Sequence, residues 1–109
     1  MKGNLQSRLR RSRSILKRYP DKIPIIINSK SKNINLSRTN FIIPDDMTVS
    51  MFICYIRKNI TLDQNQSIYM FTEKGILIPS SYSLHRIYNE HKNQDGYLYL
   101  TIALENTFG

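Results

Sequence analysis

Phe41-Ile42-Ile43-Pro44-Asp45-Asp46-Met47-Thr48-Val49 reads as a strand that stops and a helix that begins. Asn40 to Ile43 is a short β-branched and aromatic run, closed by Pro44, which cannot extend a ladder as a donor. Asp45 and Asp46 place negative charge ahead of a helix start, and Thr48 is placed as the N-cap. Val49, Phe52, Ile53, Ile56 and Ile60 follow at helical spacing and predict one core-facing stripe. Arg57 and Lys58 fall in the last turns, where the helix dipole favours cations. Cys54 lies on the flank of the stripe and is expected as a buried or half-buried structural thiol.

Upstream of this unit, Ile23 to Asn28 predicts another strand, and the polar 29–37 segment predicts a loop joining the two as a hairpin. Further back, Leu5, Leu9 and Leu16 form one thin helical stripe among Arg, Ser and Gln. So little apolar surface cannot hold a helix alone, so this one must dock on a larger body; Pro20 ends it. Downstream, Ile68 to Phe71 predicts a strand and Lys74-Gly75 a turn. Ile76 to Ile78 predicts a short further strand ended by Pro79. Leu84, Ile87, Tyr88 and His91 mark a second core-facing helix, and Asp95-Gly96 a turn. Tyr97 to Ile102 alternates, with Tyr97, Tyr99 and Thr101 on one face and Leu98, Leu100 and Ile102 on the other. Leu104 to Gly109 is expected to trail off as a tail. Strands with helices on one side predict an α+β domain, and this order and size fit a ubiquitin-like β-grasp roll with an additional N-terminal helical segment.

The 109 residues fit one compact domain, with 40% hydrophobic residues to form its core. No apolar run approaches the roughly 18 residues of a membrane span, and the charged 1–19 stretch has no secretory-signal character. The net charge of +8 is lopsided: residues 1–32 carry ten Lys/Arg against Asp21 alone, and the remainder is near neutral. A basic arm of this kind suits phosphates, anionic lipid or acidic peptides.

Catalytic chemistry finds no footing. His85 and His91 are six residues apart on one helix and face different sides. Cys54, the single cysteine, has no evident base and excludes an internal disulfide. The four glycines are too dispersed for a phosphate loop, and no His/Cys/Asp/Glu cluster has metal-ligand spacing. No catalytic residue, metal or cofactor is assigned. Specific nucleic-acid binding is not expected, because Tyr19 is the arm's one aromatic and no DNA-reading motif is present.

Five segments, in order, resemble the autophagosomal ubiquitin-like modifiers, the family of GABARAP and the microtubule-associated light-chain-three proteins. They are Arg18 to Pro24, Phe41 to Val49, Ile56-Arg57-Lys58, Ile87 to Tyr99, and the ending Glu105-Asn106-Thr107-Phe108-Gly109. The resemblance runs from about Ile15 to the end. It implies a basic N-terminal helical arm (1–20), a ubiquitin-like domain (21–104) and a conjugation tail (105–109). It also implies no enzyme activity. An activating enzyme would adenylate the Gly109 carboxylate, a conjugating enzyme would carry it as a thioester, and the phosphatidylethanolamine amine would attack. A cysteine protease would later delipidate the product. Thr107 and Phe108 would lead the glycine into those enzymes, and glycine, lacking a side chain, leaves its carbonyl open. The protein would be cytoplasmic until lipidated, then held on an autophagosomal or other organelle membrane through its lipid.

The resemblance further implies docking of cargo receptors and adaptors through aromatic-x-x-aliphatic motifs, added as a strand beside the second strand. By carry-over, Ile15, Pro24, Ile26, Ile42 and Tyr97 would line an aromatic pocket. Phe41, Ile43, Pro44, Met47, Phe52 and Tyr55 would line an aliphatic one, and Lys22 and Arg57 would meet acidic residues. Phe52 and Ile26 are equally readable as core. Ile42 and Phe41 point to opposite faces, with Phe41 expected more in the pocket than in the core. The sequence departs from the family pattern at Asn40 and Asn59, which stand for Lys and Arg and thin the positive rim near the peptide, at Arg11, which shifts positive charge to the arm, and at Leu5, which replaces an aromatic residue. Two other readings stay open: a ubiquitin-like interaction domain that is never conjugated, and a basic nucleic-acid-binding domain.

Overall fold

The computed structural model describes residues 4–30, 34, 36, 38–60 and 66–106. Helix α1 (Leu5–Arg18) leads into strand β1 (Lys22–Ser29), followed by β2 (Asn40–Pro44), α2 (Val49–Arg57), β3 (Gln66–Thr72), α3 (Leu84–His91) and β4 (Leu98–Asn106). Each helix begins on a side chain that accepts from a backbone N–H: Asn4 from Ser7, Thr48 from Met51 and Ser83 from Arg86. The sheet order is β2-β1-β4-β3. β1 runs antiparallel to β2 and parallel to β4, and β3 runs antiparallel to β4. This is a ubiquitin-like α+β roll with an added N-terminal helix.

The strand period of two sorts residues onto the faces. Ile23, Ile25, Ile27, Phe41, Ile43, Ile68, Met70, Leu98, Leu100 and Ile102 enter one core with Val49, Phe52 and Ile56 of α2 and Leu84 and Ile87 of α3. Helix α1 packs on β1, where Ile26 is buried outside that core.

Three expectations need correcting. Residues Ile76–Ile78 form no strand. Leu77 makes a single bridge to Phe71, and the segment is tied down by Thr72 N–H to Ile76 O and Ile78 N–H to Met70 O. Between the Gly75 turn (φ +87°) and donor-less Pro79 there is no room for a ladder. Strand β4 runs three residues into the expected tail, because Leu104, Glu105 and Asn106 still pair with Ile68, Ser67 and Gln66. Cys54 is exposed, because it stands two positions from both Phe52 and Ile56, about 200° around the helix from each.

The basic helix docks by polar contacts that its leucines did not announce. Ser12, 1% exposed, donates from Oγ to the Asp95 carbonyl at 2.6 Å. Arg8 Nε donates to Asp95 Oδ2 at 3.0 Å. The Asp95 side chain, itself buried, also accepts from the Tyr99 hydroxyl and from the Tyr97 N–H. Gly96 at φ +86° lets the turn close up on Ser12, and the Tyr88 hydroxyl donates to the Gly96 carbonyl at 2.7 Å. A charge buried this deeply is tolerated because it is paired and saturated with hydrogen bonds.

Candidate peptide-docking site

Among the described residues strand β2 is an edge, with β1 on one side and no strand on the other. The bond from Ile27 N–H to Thr39 O sets the ladder's phase. In an antiparallel pair every second residue bonds its partner, so Ile25–Phe41 and Ile23–Ile43 are the bonded pairs and Asn40 and Ile42 turn their N–H and C=O outward. Pro24 falls in a non-bonded pair opposite Ile42, where its missing donor costs nothing. An extended peptide laid beside β2 would meet the Asn40 and Ile42 backbone.

On the aromatic side, Ile42 is 41% exposed while Pro24, its cross-strand neighbour, is buried along with Ile26 and Tyr97. Ile15 is half-buried on α1, which packs on β1. Sheet and helix thus bring this expected set to one neighbourhood. Burial raises the Tyr97 phenol above its usual value, against the lowering charge of Arg11 and with a smaller upward push from Asp95, so it stays neutral.

The aliphatic set divides. Phe52 is fully buried, and Phe41 (6% exposed) and Ile43 belong to the core. Phe41 is therefore more inward than expected, for the same alternation that leaves Ile42 outside. Its ring still reaches an opening of about 170 Å³ lined by Leu36, Arg38, Phe41, Tyr55, Ile56 and Asn59. The rings of Phe41 and Phe52 meet edge-on at 5.6 Å, and those of Phe41 and Tyr55 at 6.2 Å. Arg38 lies 4.7 Å over the Phe41 ring and donates to the Tyr55 hydroxyl at 2.7 Å. Pro44 and Met47 are half-buried.

Two residues change their meaning. Arg57 donates from its guanidinium to the Gln66 carbonyl at 2.7 Å, at the start of β3. Strand β3 is the other edge of the sheet, so Arg57 is not brought to the β2 site. Arg38, which sequence reasoning missed, supplies a cation there instead. A lone Arg before a strand carries no signal of the ring it will cover. Lys22 begins β1 with its ammonium 5.3 Å from the Tyr19 ring. Thr107, Phe108 and Gly109 lie outside the described residues.

Among the described residues no group of His, Cys, Asp or Glu is placed to hold a metal ion, and no helix is long and apolar enough to cross a membrane.

A family profile described as autophagy protein Atg8, ubiquitin-like, matches residues 7–109. This chain belongs to the Atg8 family. Autophagy-related protein 8d of Arabidopsis thaliana is 38% identical over 107 residues, covering 96% of this chain and 88% of that protein. Autophagy-related protein 8 of Schizosaccharomyces pombe is 38% identical over 108 residues, covering 97% and 88%. The crystal structure of Trypanosoma brucei ATG8 superposes with a TM-score of 0.88 at 32% identity, covering all of this chain and 95% of that one. Atg8 membership makes this a ubiquitin-like protein of autophagy. It agrees with the resemblance carried by the five sequence segments.

Proposed function

We propose that this Atg8-family chain is a modifier joined through Gly109 to phosphatidylethanolamine, recruiting receptors and adaptors at the β2 edge. The observation that carries the recruiting role is the outward-facing backbone of Ile42, set between the apolar Pro24–Ile42 neighbourhood and the Arg38–Phe41–Tyr55 opening. Main-chain bonds to Asn40 and Ile42 give register, and the two flanking apolar sites accept alternate side chains of the peptide. Activating and conjugating enzymes and a delipidating cysteine protease are the partners of the tail. The domain (21–104) supplies recognition and 105–109 supplies chemistry, although 105 and 106 are also strand.

Attachment supports this function physically. A single acyl chain holds a protein on a bilayer only marginally, and two chains hold it stably, at about 0.8 kcal/mol per buried CH₂. The test is intact mass after incubation with activating and conjugating enzymes, ATP and phosphatidylethanolamine liposomes. A lipid-sized gain is expected for the native chain and no gain for a chain lacking Gly109. An adduct on the deletion variant would overturn the assignment.

A further inference from the structure

The end of the sheet from which the tail leaves is cationic, and we infer that it is a second lipid-contacting surface, which seats the anchored domain on anionic phospholipid. This inference rests on attachment through Gly109. Asn106 pairs with Gln66, and Arg57 binds the Gln66 carbonyl, so the C-terminus of α2 and the last residue of β4 share one end of the molecule. Lys58 caps α2 there and is exposed. Strand β1 runs parallel to β4 toward the same end, with Ser29 opposite Ile102 and Lys30 N–H bonded to the Ile102 carbonyl. Lys30 is exposed as well. Arg38, which lines an opening with Asn59, lies toward the same end, and among the described residues the acid there is Glu105.

Covalent geometry decides which surface meets the bilayer. Three residues follow Asn106, and a chain spans at most about 3.6 Å per residue, so the lipid amide stays within about 11 Å of the strand end. Helix α1 is pinned at Ser12 to the Asp95-Gly96 turn, which precedes β4. From Leu98 to Asn106 the strand extends about 26 Å, several times the Debye length of about 8 Å. A tether this short holds Arg57, Lys58 and Lys30 close to the headgroups and leaves the docked middle of α1 remote from them. The arm therefore serves first approach or protein contacts, and the tail-end cations set the orientation after attachment.

The test couples a Gly109→Cys chain, in a Cys54→Ser background, to a maleimide-headgroup lipid in nanodiscs that also carry gadolinium-chelating lipid. Chemical coupling bypasses the enzymes, so a failure of enzymatic attachment and a failure of this orientation are read separately. In phosphatidylserine-containing discs, amide broadening is expected to concentrate at Lys58, Asn59 and Gln66, several-fold above that at Gly96. In pure phosphatidylcholine discs, and at high salt, the tether alone remains and the contrast falls. Lys30→Ser/Lys58→Ser is expected to weaken the charge-dependent association about fivefold per lysine, the equivalent of about 1 kcal/mol each, with unchanged circular dichroism. Contrast that is indifferent to disc charge, or broadening centred on Arg10 to Ser14, overturns the inference.

Discussion

Ser12 and Asp95, 83 residues apart in the chain, are joined by a 2.6 Å hydrogen bond from hydroxyl to backbone carbonyl, and it fixes where α1 sits. The neighbouring Gly96 makes the approach possible. A Cβ there would stand 2.2 Å from Ser12 Oγ and 2.9 Å from Ser12 Cβ, whereas one at Gly75 would meet nothing within 4 Å.

Both glycines have positive φ, near +87°, so alanine strains either one. Gly75→Ala is expected to cost about 1–2 kcal/mol from the left-handed backbone alone, and Gly96→Ala distinctly more, because Ser12 must also move. Ser12→Ala on its own leaves a buried carbonyl unsatisfied, at about 1–3 kcal/mol. Combined with Gly96→Ala it should cost less than the sum, since each removes what the other disturbs. Urea denaturation of the four variants measures this, and strict additivity would count against the contact.

Phe52 and Tyr55 lie on one helix with opposite consequences. Phe52→Ala empties a fully buried site and is expected to cost about 3–5 kcal/mol. Tyr55→Ala should change stability by under about 1 kcal/mol yet weaken an aromatic-x-x-aliphatic peptide several-fold, by removing the ring and the Arg38 contact. Calorimetric titration alongside denaturation separates the two effects.

The ladder phase makes a backbone prediction. Binding of such a peptide, at about micromolar strength, should protect the Asn40 and Ile42 amides from solvent exchange. The Phe41 and Ile43 amides, already bonded to β1, should change little. Arg57→Gln should leave peptide affinity unaltered, whereas Arg38→Gln should lower it. Protection appearing on β3 instead would move the site to the wrong edge.

Alkaline pH should loosen the α1 dock. Burial first, then the hydrogen bond and charge of Asp95, push the Tyr99 phenol upward from its ordinary value of 10.0. A folded pKa above the unfolded one gives stability that is complete below pH 10 and is lost as pH rises beyond it. Tyr88 and Tyr97 shift the same way. The urea midpoint should hold steady up to about pH 9 and fall above about pH 10, and Tyr99→Phe should flatten that fall. An unchanged slope in the variant would remove Tyr99 from the account.

Most of the framework was legible because local signals agreed. Thr48 capped the helix it announced, the Val49–Phe52–Ile56 stripe entered the core, and Leu98, Leu100 and Ile102 went inward together. The docking of α1 was not legible. A serine among arginines looks like surface, and its burial depends on a turn 83 residues away. Arg57 was misplaced for a related reason: its position on α2 was clear, but which sheet edge that side of the helix overlooks is set by the strand order. Phe41 and Ile42 were correctly put on opposite faces. Which of them faces the core depends on the register with β1, and no local signal carried that.

The strand order has a consequence for how the molecule is made. The two central, adjacent strands are the first and the last, with Ile25 beside Leu98 and Ile27 beside Leu100. During synthesis β1 emerges early and waits, with one flank unpaired, until the final strand arrives. Pairing over so long a loop is entropically slow. A nascent chain interrupted before Asp95 has neither the last strand beside β1 nor a seat for α1. The sheet therefore closes around β1 only when its last strand is in place.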